Sequence, residues 1–263
     1  KWAGGKRWFA HHYAHLFPVE FDRYIEPFLG SGAVFFKLSP ERAILGDVNT
    51  DLINTYSAIK NNWRLVYRYL KVHHANHSPE YYYQIRKKKF RSSFSRAAQF
   101  IYLNRTCWNG LYRVNRQGTF NVPIGTKSTV IFEDDRFDLV SEKLQSATLV
   151  ASDFEDLIDR AGEGDFVFVD PPYTVRHNHN AFIKYNEKLF SWSDQVRLFH
   201  ALKRAKNRGA MILGTNAYHQ SVRDLYKNEF ETMSVSRNSP ISSKVSSRRK
   251  FEELVILSTH RSG

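Results

Sequence analysis

The chain has 263 residues, with 39 Lys and Arg against 26 Asp and Glu, and its balance of +13 favours a polyanionic partner, nucleic acid before anionic membrane. No apolar run approaches the roughly 20 residues that cross a bilayer, and the opening KWAGGKRW lacks the apolar core of a signal peptide, so a soluble cytoplasmic protein is expected. One cysteine, Cys107, excludes an intramolecular disulfide and a Cys-rich zinc site, and it reads as a packing residue. His73, His74 and His77, and then His177 and His179, come without carboxylate or cysteine partners at familiar ligand spacing, so no metal is expected.

In chain order, short apolar runs bounded by turns occur at residues 24–26, 43–45, 147–150, 166–169 and 210–213. Such runs, alternating with helical stretches, indicate an α/β fold with a parallel sheet buried on both faces. Residues 51–72 have helical periodicity through Leu52, Ile53, Tyr56, Ile59, Trp63, Val66 and Leu70. Between Asp51 and about Asp138 no strand-then-glycine unit occurs. This stretch carries Tyr81, Tyr82 and Tyr83, then Arg86, Lys87, Lys88, Lys89 and Arg91, and reads as a mainly helical insertion. A hairpin at its end is predicted from residues 111–114 and 119–122 around Asn115-Arg116-Gln117-Gly118. A further helix is predicted over residues 193–205, with Ser193 as its N-cap. The Ser/Arg/Lys-rich residues 234–250 read as mobile or ordered by a partner.

Residues 25–32, IEPFLGSG, place a strand end directly before a glycine-bearing loop and a helix. Gly30 and Gly32 let backbone pass close to a ligand, as in nucleotide-binding turns, although a generic tight turn has the same pattern. Asp47 follows the second strand, 21 residues beyond Glu26. An acid there can accept from ribose hydroxyls; the other reading is a helix N-cap. Asp153 and Phe154 supply a carboxylate for an adenine amine and an aromatic for its ring. No Lys or Arg sits in the turn to neutralise a diphosphate, which favours a nucleoside cofactor over a dinucleotide or ATP.

Asp170-Pro171-Pro172-Tyr173 (DPPY) ends the strand at 166–169 with a carboxylate, two imides and an aromatic. The prolines fix φ and offer no N–H, so the Pro171 carbonyl and the Asp170 carboxylate can act as paired acceptors for an amine with two hydrogens. Tyr173 can stack on an extruded base. A strand that simply ends in a Pro-Pro turn is the alternative.

These residues resemble the amino-methyltransferases, and their order resembles the Dam-type adenine methyltransferases of bacteria and phages. KWAGGK, EPFLGSG, GDVNTDLI, the strand-ending Asp153-Phe154 and DPPY follow one another as in that family. Within the insertion Asn104-Arg105, Trp108-Asn109-Gly110-Leu111-Tyr112-Arg113 and Phe120-Asn121-Val122-Pro123 match as well. The resemblance covers nearly the whole chain. It implies a Rossmann-like S-adenosylmethionine-dependent methyltransferase domain at residues 1–52 and 139–263, with a target-recognition domain at 53–138.

By resemblance, Trp2, Lys6, Glu26, Phe28, Gly30, Gly32, Asp47, Asp153, Phe154 and Asp170 bind S-adenosylmethionine, and residues 170–173 hold the adenine. Lys1, Arg105, Trp108, Asn109, Leu111, Arg113, Asn115 and Pro123 match positions that read or abut double-stranded DNA. An arginine reads guanine, apolar groups touch the thymine methyl, and an aromatic can fill the gap left by a flipped base. For Trp108 and Leu111 a place in the hairpin core is the competing reading. The resemblance further implies GATC as the site and a bacterial nucleoid or phage-infected cell as the location; a monomer is the default, and work alone or beside a restriction endonuclease both stay open. An N4-cytosine or RNA amino-methyltransferase, or an inactive DNA-binding relic, are the rival readings. Thr106-Cys107 before Trp108, and Phe154 in place of the Tyr of some members, depart from the family. The Arg86 to Arg91 cluster and Arg248-Arg249-Lys250 read either as phosphate contacts or as solvated charge.

Overall fold

The structure, a computed structural model, describes residues 5–114, 119–175, 190–238 and 250–258. In chain order these form α1 (Arg7–His12), β1 (Arg23–Glu26), α2 (Ala33–Leu38), β2 (Ala43–Asp47), α3 (Thr50–Ala75), α4 (Pro79–Lys87), α5 (Ser93–Thr106), α6 (Phe137–Leu144), β3 (Ala147–Ala151), α7 (Phe154–Ile158), β4 (Asp165–Val169), α8 (Trp192–Asn207), β5 (Met211–Ala217), α9 (Gln220–Tyr226), β6 (Glu231–Asn238) and β7 (Lys250–Leu257). The strand order is β3-β2-β1-β4-β5-β7-β6, a mostly parallel sheet of the Rossmann-like kind. All five strands expected from apolar runs are present. Among the described residues no helix is long and apolar enough to cross a membrane.

The chain divides into two compact units, Lys1–Ala14 with Leu29–Ala151, and His15–Phe28 with Ser152–Gly263. In the first, β2 and β3 pair in parallel from Ala43 opposite Ala147 to Asp47 opposite Ala151. The α3 helix starts where the Asn49 side chain accepts from the backbone N–H groups of Asp51 and Leu52, satisfying donors that a helix start leaves open. Its buried stripe includes Leu52, Ile53, Ile59, Val66 and Leu70, and it packs chiefly along α5 and α6. The helix that the periodicity of residues 51–72 indicates is kinked, because Asn62 has non-helical φ and ψ of −159° and 79° and its Oδ1 accepts from Leu65 N at 3.1 Å. Asn62 thus acts as an internal N-cap. Ser78 and Ser92 cap α4 and α5 in the same way.

The expected hairpin after α5 is reduced to two isolated bridges, Cys107 with Ile124 and Val114 with Phe120; its turn, residues 115–118, lies outside the described residues. Cys107 is buried, and its Sγ–H faces the Asn104 and Leu111 carbonyls.

In the second unit β1, β4 and β5 run parallel, and β7 and β6 add antiparallel strands beside β5. β4 is buried along its whole length, as its unbroken apolar run Phe166 to Val169 requires. The α8 helix is capped two residues before the expected Ser193: Ser191 and Asp194 form a reciprocal capping box. Strands β6 and β7 take up residues 234–238 and 250 of the stretch read as mobile or partner-ordered, with Ser234 to Asn238 paired with Leu254 to Lys250. Residues 239–249 lie outside the described residues.

Candidate active site

Four acids lie at or just beyond the carboxyl ends of successive parallel strands: Glu26 after β1, Asp47 after β2, Asp153 after β3 and Asp170 after β4. Ligands of open α/β sheets bind at these ends.

In the first unit the glycine loop is fixed by backbone and by Asp47. Gly30 and Gly32 have φ of 45° and 62°, in the left-handed region that favours glycine; a Cβ on Gly32 would also meet the Phe36 ring at 3.0 Å. Asp47 Oδ2 accepts from Gly30 N at 3.1 Å and its Oδ1 from Asn49 N at 2.9 Å. The cap of α3 is therefore Asn49, and Asp47 serves the loop instead. Burial pushes the Asp47 carboxyl above its ordinary range, with the Asn49 and Gly30 N–H groups pulling the other way. The Tyr56 hydroxyl donates to the Gly30 carbonyl at 3.1 Å, a support that no motif announces. Lys6 is buried at the start of α1. Lys1 and Trp2 lie outside the described residues.

In the second unit Phe28 stacks on Phe154, with centroids 5.3 Å apart, and Phe190 packs edge-on to Phe28. Asp153 caps α7 by accepting from Glu155 N and takes both ends of the Arg197 guanidinium, at 3.0 and 2.9 Å. The same guanidinium lies 4.4 Å from the Phe154 centroid. Phe154 is only 5% exposed, so Arg197, absent from the sequence reading, organises both residues expected at the adenine. Glu26 is buried and accepts from the Tyr24 hydroxyl at 2.9 Å.

DPPY follows β4 directly. Pro171 is buried, while Asp170, Pro172 and Tyr173 are half-buried. Thr215 Oγ1 donates to Asp170 Oδ1 at 2.7 Å, and the Tyr173 hydroxyl faces the Thr215 and Glu253 side chains. Burial first, then the nearby Asp170 and Glu253 carboxylates, push the Tyr173 phenol well above its ordinary range and keep it neutral. The next residue, fully buried Thr174, donates to the Phe190 carbonyl at 2.5 Å.

The expected DNA-reading residues belong to the first unit. Trp108 is 53% exposed and Leu111 36%, which removes the hairpin-core reading for both. They stand on a pinned loop: Trp108 N donates to the Pro123 carbonyl at 2.9 Å and Gly125 N to the Thr106 carbonyl at 2.7 Å. Asn109 has a left-handed φ of 56°, and Pro123 is exposed. Arg113 is exposed, and its Nε donates to Asn121 Oδ1 at 2.9 Å. Arg105 turns inward, with Nη2 donating to Asp135 Oδ1 at 2.6 Å and Nη1 to the Val130 carbonyl at 2.6 Å. Asn115, Arg248 and Arg249 lie outside the described residues. Of the basic cluster, Arg86 donates to the Val122 carbonyl and lies over Tyr83; Lys87, Lys89 and Arg91 are exposed.

A parallel sheet whose strands end in acids and a glycine loop, with DPPY after a buried strand, defines the class of amino-methyltransferases. The sequence profile of the D12 class N6 adenine-specific DNA methyltransferases matches residues 2–241, and the chain belongs to this family. Its relatives include the Type II methyltransferase M1.LlaDCHI of Lactococcus lactis subsp. cremoris, 36% identical over 97% of this chain and 93% of the relative. The Type II methyltransferase M.MjaIII of Methanocaldococcus jannaschii is 35% identical over 83% of each. A DNA adenine methylase of Vibrio cholerae is 34% identical over 98% of this chain and 95% of that protein.

Proposed function

We propose that this chain transfers a methyl group from S-adenosylmethionine to N6 of an adenine flipped out of duplex DNA, within GATC. The observation that carries the reading is the Asp170 carboxylate, fixed at the mouth of DPPY by Thr215 after a fully buried strand. The acidic donor set fits the cofactor. Glu26, Asp47 and Asp153 suit the ammonium, hydroxyl and amine groups of a cationic nucleoside, and no basic side chain stands in the glycine loop for a phosphate. Asp47 spends one lone pair of each oxygen on a backbone N–H and keeps acceptor capacity for ribose hydroxyls. When bound, the cofactor supplies an electrophilic methyl on a sulfonium.

The protein's part is to prepare the amine. Asp170 and the Pro171 carbonyl accept the two N6 hydrogens and draw the nitrogen lone pair out of conjugation, while Tyr173 stacks on the base. Trp108 fills the gap in the duplex, and Arg113, Leu111, Asn109 and Pro123 read the flanking bases, with Lys1 and Asn115 on the DNA side by family resemblance and Arg105, turned inward onto Asp135, bracing the loop instead. In this reading residues 53–138 form the target-recognition domain of a monomer and residues 1–52 and 139–263 the catalytic one. The Type II names of two relatives support pairing with a restriction endonuclease, and the DNA adenine methylase names support an enzyme acting alone.

Single-molecule methylome mapping of DNA treated with the purified protein tests base and site together, with N6-methyladenine expected in GATC. Methyl on cytosine N4, or labelled transfer to RNA only, would replace the substrate assignment. Absence of S-adenosylmethionine binding by calorimetry would leave a DNA-binding relic.

A further inference from the structure

A tyrosine that only stacks on a base does not need its hydroxyl, since phenylalanine has the same ring. The Tyr173 hydroxyl nevertheless faces two polar side chains, Thr215 and Glu253. Thr215 is fully buried in β5 and also donates to Asp170 Oδ1 at 2.7 Å. In the antiparallel β5–β7 pair Thr215 stands opposite Val255 and Ala217 opposite Glu253. Glu253 is two residues from Val255 and so shares its face, which makes Thr215 and Glu253 diagonal neighbours on one side of the sheet. Thr215 gives its one proton to Asp170, and the Tyr173 hydroxyl has its own for Glu253, so two neighbouring hydroxyls each serve one carboxylate.

We propose that Thr215 and Glu253 are positioning residues for methyl transfer: Thr215 sets the rotation of the Asp170 carboxylate that grips the amine, and Glu253, through the Tyr173 hydroxyl, sets the plane of the stacking ring. The inference rests on the reading of DPPY as the catalytic centre. Its physical content is coupling. Thr215 on β5 holds the carboxylate and Glu253 on β7 the ring hydroxyl, and the pairing of β5 with β7 transmits the rigidity of the sheet to both.

The test is single-turnover methylation of a GATC duplex at saturating S-adenosylmethionine, with cofactor affinity measured by calorimetry. Thr215→Val, Glu253→Ala and Tyr173→Phe should each slow the chemical step about 10- to 100-fold, the loss of a hydrogen bond in a charged network, and leave cofactor affinity within about twofold. Thr215→Ser and Glu253→Gln, which keep a hydroxyl and an acceptor oxygen, should recover most of the rate. Glu253→Ala combined with Tyr173→Phe should be no slower than either alone, because both remove one linkage; a loss of stability alone would not give that pattern. Wild-type rates in Thr215→Val and Glu253→Ala, or strictly additive losses in the double variant, overturn the positioning role. Asp170→Ala separates the two levels: if it is inactive while the others are unaffected, only this inference fails, and if it turns over normally the catalytic reading of DPPY fails with it.

Discussion

At the scale of single residues, the acids at the strand ends differ by what holds them. Asp47 is locked by two backbone donors and Asp153 by Arg197 and the start of α7. Asp47→Asn retains the size and loses the charge, and it should weaken S-adenosylmethionine binding about 10- to 100-fold, the value of hydrogen bonds to a charged acceptor, as read by calorimetry. Arg197→Ala releases Asp153 and uncovers Phe154, which makes it the residue to compare. His73 gives a second prediction, on stability. Its Nδ1 is hydrogen-bonded with the Tyr81 hydroxyl at 2.8 Å and its ring stacks on Tyr102. Burial, with a smaller contribution from the Lys88 charge, lowers its pKa to about 4. The folded state therefore binds this proton less readily than the unfolded chain, where the pKa is about 6.5. Stability is complete above that value, falls as pH drops through the window from 6.5 to about 4, and loses on the order of 2–3 kcal/mol. Urea unfolding at stepped pH should show this slope in the wild type and a flatter one in His73→Gln.

At the scale of elements, kinks and pinned loops place the functional side chains. Asn62 divides α3, and Asn62→Ala should cost about 1 kcal/mol, as loss of an N-cap does, in denaturant midpoint at unchanged m-value. The loop that carries Trp108 is closed against Gly125, where a Cβ would lie 2.6 Å from the Cys107 carbonyl oxygen. Backbone cannot yield as a flexible side chain does, so Gly125→Ala should destabilise by about 1–3 kcal/mol and weaken duplex binding through displacement of Trp108, measurable by thermal unfolding and fluorescence anisotropy. Strands β1, β2, β4 and β5 were legible in the sequence because burial within the sheet demands apolar runs, and β3, at the sheet edge with Thr148 and Ala151 exposed, was legible by its likeness to them. β6 was not legible: in ETMSVSRN polar residues alternate with few apolar ones, and among those only Val235 is buried. Of the hairpin expected at residues 111–122, the described residues keep the antiparallel Val114–Phe120 bridge and the Asn121 N–H on the Arg113 carbonyl, while the Trp108 and Gly125 N–H groups are held by the Pro123 and Thr106 carbonyls. The α8 cap was misplaced by two residues because Ser191 and Ser193 are equally good caps by type, and only Asp194 bonding back to Ser191 N distinguishes them.

At the scale of the whole molecule, charge is concentrated. Residues 60–96 contain ten Lys and Arg and one acid, and among the described residues Arg64, Arg68, Lys71 and Lys87 are exposed. Duplex affinity should therefore fall steeply with salt, by about 10³-fold between 50 and 200 mM for about six phosphate contacts, in a titration by anisotropy; a flat response would remove the electrostatic account of DNA binding. The sequence by itself determined the α/β class, the order of the motifs and the chemistry available at each strand end, since these depend on residue type and on periodicity along one stretch of chain. Gly30, Gly32, Asp47, Asp153 and DPPY were all named from it. Only the tertiary structure decided which groups hold them: Arg197 over Phe154, Tyr56 on the Gly30 carbonyl, and Thr215 on Asp170. Each of these contacts links residues 26 to 45 positions apart, and a contact across that separation leaves no periodicity in the chain to read.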